Sequence, residues 1–566
     1  MRIVIVGGVA AGMSAAARAR RHDETAEIIV LERGPEVSFA NCGLPYHVSG
    51  EIADADSLLL HTPASLRATL NLDVRCGHEV TKIDPEEKTV TVVSSAGVDT
   101  LAYDALVLTP GASAVRPPLP GLDSPRVSTL RTVADAVGLR ARVDDGARRA
   151  VVLGAGYIGL EAAEAFRHAG IDVAVVEMAP HVLPPLEREL AHLLDEELRR
   201  LGIRVHAGVA AERVEPGVGE DVVVLGDGTR VPADVIVLSV GVRPDTAFAV
   251  EAGVAHERGA IVVDDRGRTD VPGIWAAGDA TVSVDAVTGA RRPIALAGPA
   301  NRAGRLIADD IFGRDTGRTI PAGLGTAIVR VGTLTAAMTG ANRTALESAG
   351  IAHHTLHLHP NQHAGYFPGA APIHLMVHVA KKDGLLLGAQ AVGVEGVDKR
   401  IDVLATAIRA GIPATDLIDL DLAYSPPYGQ AKDPVNLTGM VAENVAEGRL
   451  RLWYAEDLDA VAASSLILDV RTPAEFASGH IPGALNIPHT ELRSRIDEVR
   501  SAASGRPVRV LCAAGVRANI AHRILVGHGL DSASLSGGIQ TLRHWYGAEI
   551  DRILTPDQTV TEGARA

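Results

Sequence analysis

The sequence contains very little cysteine. Only Cys42, Cys76 and Cys512 occur among 566 residues, and their wide spacing excludes a disulfide framework. A reducing cytoplasm is therefore the expected compartment. Cys42 has no second cysteine within a few positions, so its oxidised form must be a sulfenate, a persulfide or a mixed disulfide with a small thiol.

Aromatic residues, basic charge and long apolar segments are also scarce. Aromatics make up 3% of the chain, whereas its 58 glycines favour α/β folds with many tight turns between strands and helices. The net charge of -15 argues against nucleic acid as a partner. No apolar run is long enough to cross a bilayer, and the chain starts with an apolar strand rather than a signal peptide, so no membrane partner is expected.

The first 32 residues have the pattern of a dinucleotide-binding fold. The apolar run Ile3–Val6 leads into a glycine turn from Gly7 to Gly12 and an alanine-rich helical segment, and a second apolar run ends in Glu32. Backbone N–H groups and the helix dipole at such a turn hold a pyrophosphate, and the acid accepts hydrogen bonds from ribose hydroxyls. Val9 replaces the second glycine of the fingerprint, which weakens the match.

The same pattern returns near residue 150 with all three fingerprint glycines. Gly154, Gly156 and Gly159 follow an apolar run, and the next strand ends in Glu177. A carboxylate there repels the 2′-phosphate of NADP while accepting from a free ribose hydroxyl, so NADH is favoured. Two such folds predict two dinucleotides; glycines used only for packing a helix on a sheet are the alternative.

Two short segments complete the pattern of a flavin domain. Residues 103–112 predict a buried strand that breaks at a Pro-Gly turn, and residues 274–280 predict a strand that ends in Gly-Asp. In this order the motifs resemble those of the two-dinucleotide pyridine nucleotide-disulfide oxidoreductases. The resemblance implies that the first fold binds FAD, that Asp279 binds the ribityl chain, and that the NADH-binding fold is inserted in the FAD domain.

Residues 326–447 predict a further domain of alternating strands and helices. In the same family this is the dimerisation domain, which reaches into the partner subunit's active site. Its histidines leave two interpretations open, a polar strand face or a metal site; since no cysteine or acidic ligand set accompanies them, no metal is expected. These histidines are His353, His354, His357, His359 and His363.

The last hundred residues resemble a rhodanese domain in four motifs, at residues 466–471, 475–476, 479–484 and 508–517. Cys512 follows a buried strand and starts a six-residue loop that enters a helix. Loop N–H groups and the helix dipole there are expected to stabilise a persulfide anion. A degenerate domain used only for docking is the alternative, but such domains usually lose the cysteine, and this one keeps both Cys512 and Arg517.

The resemblance extends to one branch of this family through three features: the segment Ser38–Cys42, the motif Tyr424–Tyr428 and Lys432. A single redox cysteine in this context, fused to a rhodanese domain, is similar to the CoA-disulfide reductase/rhodanese fusions, also described as NADH-dependent persulfide reductases. The resemblance implies a homodimer in which partner-subunit residues complete the active site.

The resemblance also assigns roles to individual residues. The expected catalytic residues are Cys42, Cys512, Tyr366, Tyr424, Ser38, Asn41 and Arg517, with the two tyrosines projecting from the partner subunit. FAD is expected at Gly7, Val9, Ala10, Gly12, Glu32, Arg33, Val80, Thr109, Gly111, Asp279 and Ala297. NADH is expected at Gly154, Gly156, Ile158, Gly159, Glu177 and Gly241, and coenzyme A at Arg21, Ser38, Asn41, Cys42 and Lys432. Cys76 has no motif around it and is expected to be structural.

The predicted fold is α/β: two Rossmann-like dinucleotide-binding domains for FAD and NADH, an α+β dimerisation domain and a C-terminal α/β rhodanese domain. The expected boundaries are 1–114 and 246–325 for the FAD-binding domain, 115–245 for the NADH-binding domain, 326–447 for the dimerisation domain, 448–456 for a linker, 457–555 for the rhodanese domain and 556–566 for a tail.

The predicted activity is FAD- and NADH-dependent reduction of CoA persulfide or polysulfide to hydrogen sulfide, with the rhodanese domain delivering sulfane sulfur to Cys42. Three alternatives stay open. The first is a CoA-disulfide reductase with an accessory rhodanese domain. The others are an NADH oxidase or peroxidase that cycles a sulfenate, and a low-turnover sulfur carrier or redox sensor.

Overall fold

A computed structural model describes residues 1–556, so residues 557–566 of the predicted tail lie outside the described part of the chain. The chain forms two compact units. The first comprises residues 1–183 and 198–325, and the second comprises residues 184–197 and the chain from Thr326 onward. None of the helices among the described residues has the length and apolar character needed to span a membrane.

The first unit starts with a parallel sheet and an antiparallel three-stranded sheet. The elements of residues 1–114 are β1 (Arg2–Val6), α1 (Ala10–His22), β2 (Glu27–Glu32), α2 (Leu44–Ser49), α3 (Pro63–Leu70), β3 (Asp73–Cys76), β4 (Glu79–Asp84), β5 (Thr89–Ser94), β6 (Gly97–Ala102), β7 (Ala105–Leu108) and β8 (Ala112–Ala114). Strands β4, β5 and β6 form the antiparallel sheet. Nearly every residue of β1, β2 and β7 is buried, as expected of parallel strands covered on both faces.

A second parallel sheet follows. The elements of residues 115–245 are β9 (Val127–Ser128), α4 (Val133–Asp144), β10 (Arg149–Leu153), α5 (Tyr157–His168), β11 (Asp172–Glu177), α6 (Arg188–Arg200), β12 (Arg204–Ala207), β13 (Ala211–Glu215), β14 (Asp221–Leu225), β15 (Arg230–Ala233), β16 (Val235–Leu238) and β17 (Val242–Pro244). The parallel order is β12-β11-β10-β16-β9, and β13, β14 and β15 form an antiparallel sheet. Each sheet therefore has its glycine turn after the central strand.

The chain then returns to the first sheet. The elements of residues 246–325 are α7 (Ala247–Glu251), β18 (His256–Glu257), β19 (Ala260–Ile261), β20 (Ile274–Ala276), β21 (Ser283–Val284), β22 (Arg291–Arg292) and α8 (Ala297–Ile311). Strand β20 pairs with β7, which gives the order β3-β2-β1-β7-β20. Strands β8 and β17 pair where the chain leaves and re-enters this fold. This connectivity is what an inserted second fold requires.

Helices α1 and α8 pack very closely beside the first glycine turn. A Cβ atom at Gly304 of α8 would collide with the Ala11 carbonyl of α1, so only glycine permits this approach. The small side chains of α1 also allow this close approach, since Ala15, Ala16 and Ala19 are buried between the sheet and α8.

The second unit contains an antiparallel sheet with helices on it. Its elements up to residue 447 are β23 (Ala327–Val331), β24 (Leu334–Gly340), α9 (Arg343–Ser348), β25 (His353–Leu358), β26 (Ile373–Ala380), β27 (Leu386–Gly393), α10 (Val397–Ala410) and α11 (Pro434–Ala446). The strand order is β23-β24-β27-β26-β25. Helix α10 ends at Gly411, which has a left-handed backbone (φ 66°).

The C-terminal domain is a five-stranded parallel sheet with helices. Its elements are β28 (Leu452–Trp453), α12 (Leu458–Ser464), β29 (Leu466–Asp469), α13 (Pro473–Ala477), β30 (Leu485–Asn486), α14 (Ile496–Ala503), β31 (Val508–Leu511), α15 (Val516–Gly527), β32 (Ser532–Leu535), α16 (Gly538–Tyr546) and α17 (Ile550–Ile553). The order is β28-β32-β31-β29-β30. The predicted α/β class, with two Rossmann-like folds, an α+β domain and a C-terminal α/β domain, is confirmed.

The histidine-rich strand β25 lies at the edge of the antiparallel sheet and is covered by the C-terminal domain. The Thr355 N–H donates to the Tyr454 hydroxyl (3.3 Å), and the His357 N–H donates to the Ser536 hydroxyl (3.2 Å). Its polar alternation is therefore that of a strand whose polar face packs on another domain of the same unit.

Candidate active site and cofactor sites

The two glycine turns of the first unit have the same construction. Gly7 and Gly154 have left-handed backbones (φ 97° and 98°), and a Cβ atom at Gly12 or Gly159 would collide with the carbonyl of Gly7 or Gly154, respectively. Each turn thus brings backbone N–H groups to the start of a helix with no side chain in the way.

A hydroxyl group fixes each turn from a neighbouring strand end. Thr109 Oγ1 donates to the Val6 carbonyl after β7, and Ser239 Oγ donates to the Leu153 carbonyl after β16, both at 2.8 Å. Thr109 was among the residues predicted from the sequence, whereas Ser239 was not. Its position one residue beyond a buried strand, matching that of Thr109, was the signal that could have identified it.

The acids at the ends of the second strands lie beside the turns. Glu32 accepts hydrogen bonds from the N–H groups of Gly8 and Gly34, both at 2.8 Å. Glu177 accepts from the N–H groups of Ala155 and Ala179, both at 2.7 Å. Each carboxylate is therefore positioned where the acid of a dinucleotide fold meets the ribose.

Helices α1 and α5 begin without a capping side chain and without an acidic residue in the first turn. Their first N–H groups consequently remain available for an anion, and the helix dipoles favour negative charge there. Together with the open glycine turns and the two carboxylates, this donor set fits the pyrophosphate and ribose of FAD in the first fold and of NADH in the second.

The other residues predicted to bind FAD or NADH lie on several elements of the first unit. Arg33 is paired with Asp245 (2.5 Å). Asp279 accepts from Arg131 (3.3 Å) in the short turn after β20. The remaining ones lie at element ends or turns: Ala10 at the start of α1, buried Val80 in β4, Gly111 and Gly241 in left-handed turns, Ile158 near the start of α5 and Ala297 at the start of α8.

Tyr157, the first residue of α5, was not selected from the sequence. Its hydroxyl is buried and has no hydrogen-bond partner within residues 1–556. Because a buried phenol without a partner is costly, this oxygen is a candidate contact for a molecule bound in the second fold.

Cys42 lies in a short 3₁₀ helix, Asn41–Gly43, directly before α2, and it is exposed. Three backbone hydrogen bonds hold this segment. Ser38, which has a left-handed backbone (φ 51°), donates its N–H to the Gly8 carbonyl (2.8 Å) and accepts from the Leu60 N–H (3.0 Å), while the Ala40 N–H donates to the Leu58 carbonyl (2.8 Å). The thiol segment is thereby tied directly to the first glycine turn.

Desolvation of the thiol by the surrounding protein and the Glu161 carboxylate raise the pKa of Cys42 above its usual value. Glu161 belongs to α5, and α5 packs against α2. No local sequence signal connects residues 42 and 161. Arg21, the predicted contact to CoA on the same fold, is exposed in the last turn of α1.

In the second unit, Tyr366 and Tyr424 come together. Their hydroxyl oxygens are 3.3 Å apart, and their residues are 77% and 49% exposed. Lys432 is exposed at the end of the loop that contains Tyr424. The structure thus brings two predicted phenols into one exposed cluster.

A buried ion pair positions the two loops that bear these tyrosines. Arg400 and Asp433 are almost fully buried, and Arg400 Nη2 donates to Asp433 (2.8 Å) and to the Gln362 carbonyl (2.8 Å). The Ala364 N–H also donates to the Gly429 carbonyl (2.9 Å). Sequence reasoning missed this pair, since neither residue lies in a motif.

Cys512 follows β31 and is only 1% exposed. The Gly515 N–H donates to its Sγ (3.2 Å), and Gly515 has a left-handed backbone (φ 97°). The loop of small residues that follows Cys512 curls around the sulfur and enters α15 at Val516. One backbone N–H of this loop therefore points at the sulfur, and the predicted persulfide role stays a prediction.

Arg517 lies beside this loop in a bidentate ion pair with Glu475. Arg517 Nη1 and Nη2 donate to the two Glu475 oxygens at 2.8 and 2.7 Å. Arg517 lowers the pKa of Glu475 to about 2, and the Glu475 hydrogen bond, together with Cys512, raises the pKa of Arg517. A permanent cation is therefore held next to the Cys512 sulfur by Glu475.

Cys76 ends β3, is half-buried and packs against the core of the first fold. This surrounding matches that of a structural cysteine.

Three family models match the chain. That of the pyridine nucleotide-disulphide oxidoreductases matches residues 1–301. That of their dimerisation domain matches residues 326–434, and that of the rhodanese-like domain matches residues 452–543.

Individual proteins are similar over most or all of the chain. The coenzyme A disulfide reductase of Staphylococcus haemolyticus is 32% identical over 78% of this chain and 100% of its own length. The crystal structure of reduced CoADR-RHD from Bacillus anthracis has a TM-score of 0.94 and 38% identity, covering 98% of this chain and 99% of that one. A NAD-dependent persulfide reductase from A. fulgidus has a TM-score of 0.89 and 37% identity, covering 96% and 100%.

Proposed function

Because the chain belongs to the pyridine nucleotide-disulphide oxidoreductase family and ends in a rhodanese domain, we propose that it reduces CoA persulfide or polysulfide with NADH and releases hydrogen sulfide. The observation that supports this most strongly is the pair of unlike cysteines. Cys42 is exposed and has no second cysteine beside it, whereas Cys512 is held in a loop suited to a persulfide anion.

The working enzyme is a cytoplasmic homodimer with FAD, NADH and coenzyme A. FAD binds at the Gly7 turn and NADH at the Gly154 turn. When bound, FAD supplies two-electron transfer between NADH and a disulfide. Arg21 and Lys432 contact CoA, and Tyr366 and Tyr424 of the partner subunit approach the sulfur that is reduced.

Cys512 takes up the sulfur first. Its thiolate attacks the sulfane sulfur of a polysulfide or thiosulfate, the shortened polysulfide or sulfite leaves, and a Cys512 persulfide remains. The Gly515 N–H and the Arg517 cation stabilise the terminal sulfur anion. A CoA thiolate then attacks the terminal sulfur, which yields CoA persulfide and the Cys512 thiolate.

Cys42 carries out the reduction. Its thiolate attacks the CoA sulfur of CoA persulfide, hydrosulfide leaves because its pKa is low, and a Cys42–CoA mixed disulfide forms. Two electrons and one proton then release CoA and restore the Cys42 thiolate. A phenol from Tyr366 or Tyr424 hydrogen-bonds or protonates the leaving sulfur.

Mass spectrometry of the purified protein under non-reducing conditions tests this proposal. We expect FAD and a CoA adduct on the Cys42 peptide after incubation with CoA persulfide and no reductant. The Cys76 peptide of the same sample is the internal control. A CoA adduct spread equally over Cys42 and Cys76, or a protein without flavin, would contradict the assignment.

Glu177 is expected to determine the preference for NADH. Replacement by alanine removes the charge that repels a 2′-phosphate, so the ratio of kcat/KM for NADH to that for NADPH should fall by about 10-fold or more. Asp172→Asn, at the other end of the same strand, is the matched control. An unchanged ratio in Glu177→Ala would assign the selectivity to other residues.

Glu475 is expected to act as a positioning residue for Arg517. Glu475→Gln weakens the bidentate pair, so thiosulfate:CoA sulfur transfer should slow by about 10-fold, while reduction of preformed CoA persulfide stays unchanged. Because the pKa of Glu475 is lowered to about 2, the pair forms fully above the unfolded pKa and is lost only as the pH falls towards 2. The native protein should therefore keep the part of its sulfur-transfer rate that depends on the Arg517–Glu475 pair at pH 5. A decrease of that rate at pH 5 equal to the decrease caused by Glu475→Gln would refute this role of Glu475. Glu491→Gln, in an exposed pair of the same domain, is the control.

A further inference from the structure

Three histidines from three separate elements meet outside the sites described above. His359 follows β25, His374 is on β26, and His544 is on α16 of the rhodanese domain. One nitrogen atom from each ring lies within 4.8 Å of the others. We call these three residues the histidine cluster.

The rings face one another with few other partners. His359 Nδ1 is 2.9 Å from His374 Nδ1, and His359 Nε2 is 2.8 Å from the Thr541 hydroxyl. The ring centres of His374 and His544 are 4.6 Å apart in an edge-to-face contact. Within the described part of the chain, the imidazole ring of His544 makes no hydrogen bond, so its nitrogens are available to a ligand.

Burial disfavours the charged form of all three imidazoles. Burial lowers the pKa of His374 to about 4 and that of His544 to about 3, and burial also lowers the pKa of His359 well below its usual value. Neutral imidazole is the form that binds a metal ion.

We propose that the histidine cluster binds one divalent transition-metal ion, with Zn²⁺ as the probe of choice, and that the ion joins the dimerisation sheet to the rhodanese domain of the same chain. Three imidazoles plus one water molecule form a tetrahedral set that suits Zn²⁺, and imidazole sets also suit Cu²⁺ and Ni²⁺. Small rotations of the rings would bring the three nitrogens to the separation that one ion requires.

The surroundings favour such an ion. If His359 Nε2–H donates to Thr541, the Nδ1 lone pair of His359 faces His374. The hydrogen bond to Thr541 is then the second contact that orients a metal-binding histidine. Glu189 is 2% exposed; its Oε1 is paired with Arg343 (2.9 Å), while its Oε2 has no hydrogen-bond partner within the described residues.

This proposal differs from the expectation drawn from the sequence. That expectation considered five histidines of one segment, of which only His359 belongs to the cluster. His374 and His544 join it because β26 pairs with β25 and α16 packs over the strand end.

Isothermal titration with Zn²⁺ of the full-length holoenzyme, first treated with a chelator, tests the proposal without relying on turnover. We expect one ion per chain and a higher Tm with Zn²⁺, because the ion binds only the folded state. His374→Gln and His544→Gln should each weaken binding by about 100-fold or more and abolish the Tm increase, since loss of a ligand exceeds the effect of losing an outer contact. His354→Gln, on the strand β25 that precedes His359 but outside the cluster, should bind as the wild type does.

Co²⁺ gives a second measurement that needs no variant. Bound at the histidine cluster, it should show the visible absorption of a tetrahedral nitrogen and oxygen site without thiolate charge-transfer bands. Less than one Zn²⁺ per chain, unchanged binding in both cluster variants, or a thiolate-type Co²⁺ spectrum would each overturn the proposal.

Discussion

Replacing Cys42 with serine is expected to reduce NADH-dependent sulfide release from CoA persulfide by at least about 1,000-fold. A serine hydroxyl at this position is a poor nucleophile towards sulfur and cannot form the mixed disulfide with CoA. The measurement is sulfide production and NADH oxidation with preformed CoA persulfide under anaerobic conditions.

The variant should keep its other properties. Cys42 is exposed in a short helix that backbone hydrogen bonds hold in place, so the substitution leaves no cavity. Bleaching of the flavin absorption by NADH should therefore persist. Cys76→Ser is the matched control and should retain sulfide release; if Cys42→Ser does so as well, Cys42 is not the redox nucleophile.

The second large effect is expected for Cys512→Ser. This change should slow sulfide release from polysulfide or thiosulfate by about 100-fold or more, while the rate with preformed CoA persulfide stays close to that of the wild type. The difference follows from the proposed order of events, since only the first transfer uses Cys512. Rates should be compared on both classes of donor in the same preparation.

The same comparison separates the remaining alternatives. A CoA-disulfide reductase with an accessory rhodanese domain predicts equal rates for Cys512→Ser and wild type on every donor. An NADH oxidase or peroxidase predicts that oxygen or peroxide consumption exceeds persulfide turnover. A low-turnover carrier or sensor predicts slow NADH oxidation with every sulfur acceptor.

The two cysteines are suited to different tasks because of their exposure. Cys42 is open to solvent, which allows a CoA thiol on a long flexible arm to approach it. Cys512 is 1% exposed, and the Gly515 N–H donates to its sulfur. This contrast supports small sulfane donors at Cys512 and CoA derivatives at Cys42.

The family assignment and much of the predicted site could be obtained from the sequence because the signals are local. A glycine turn, the helix after it and an acid at the next strand end occupy about 30 consecutive residues, and their backbone geometry restricts which residues can occur there. The loop from Cys512 to Arg517 is local in the same way. These segments predict dinucleotide binding and persulfide chemistry before any tertiary contact is known.

The tertiary structure alone decided which distant residues act on these segments. The Glu161 carboxylate raises the pKa of Cys42 because α5 packs on α2. Arg400 and Asp433 connect the two loops that bear the tyrosines. Glu475 positions Arg517 through their ion pair. The histidine cluster needs two strands and a helix of another domain. Side chains that converge in this way leave no regular spacing along the chain, because their proximity results from the packing of whole helices and sheets.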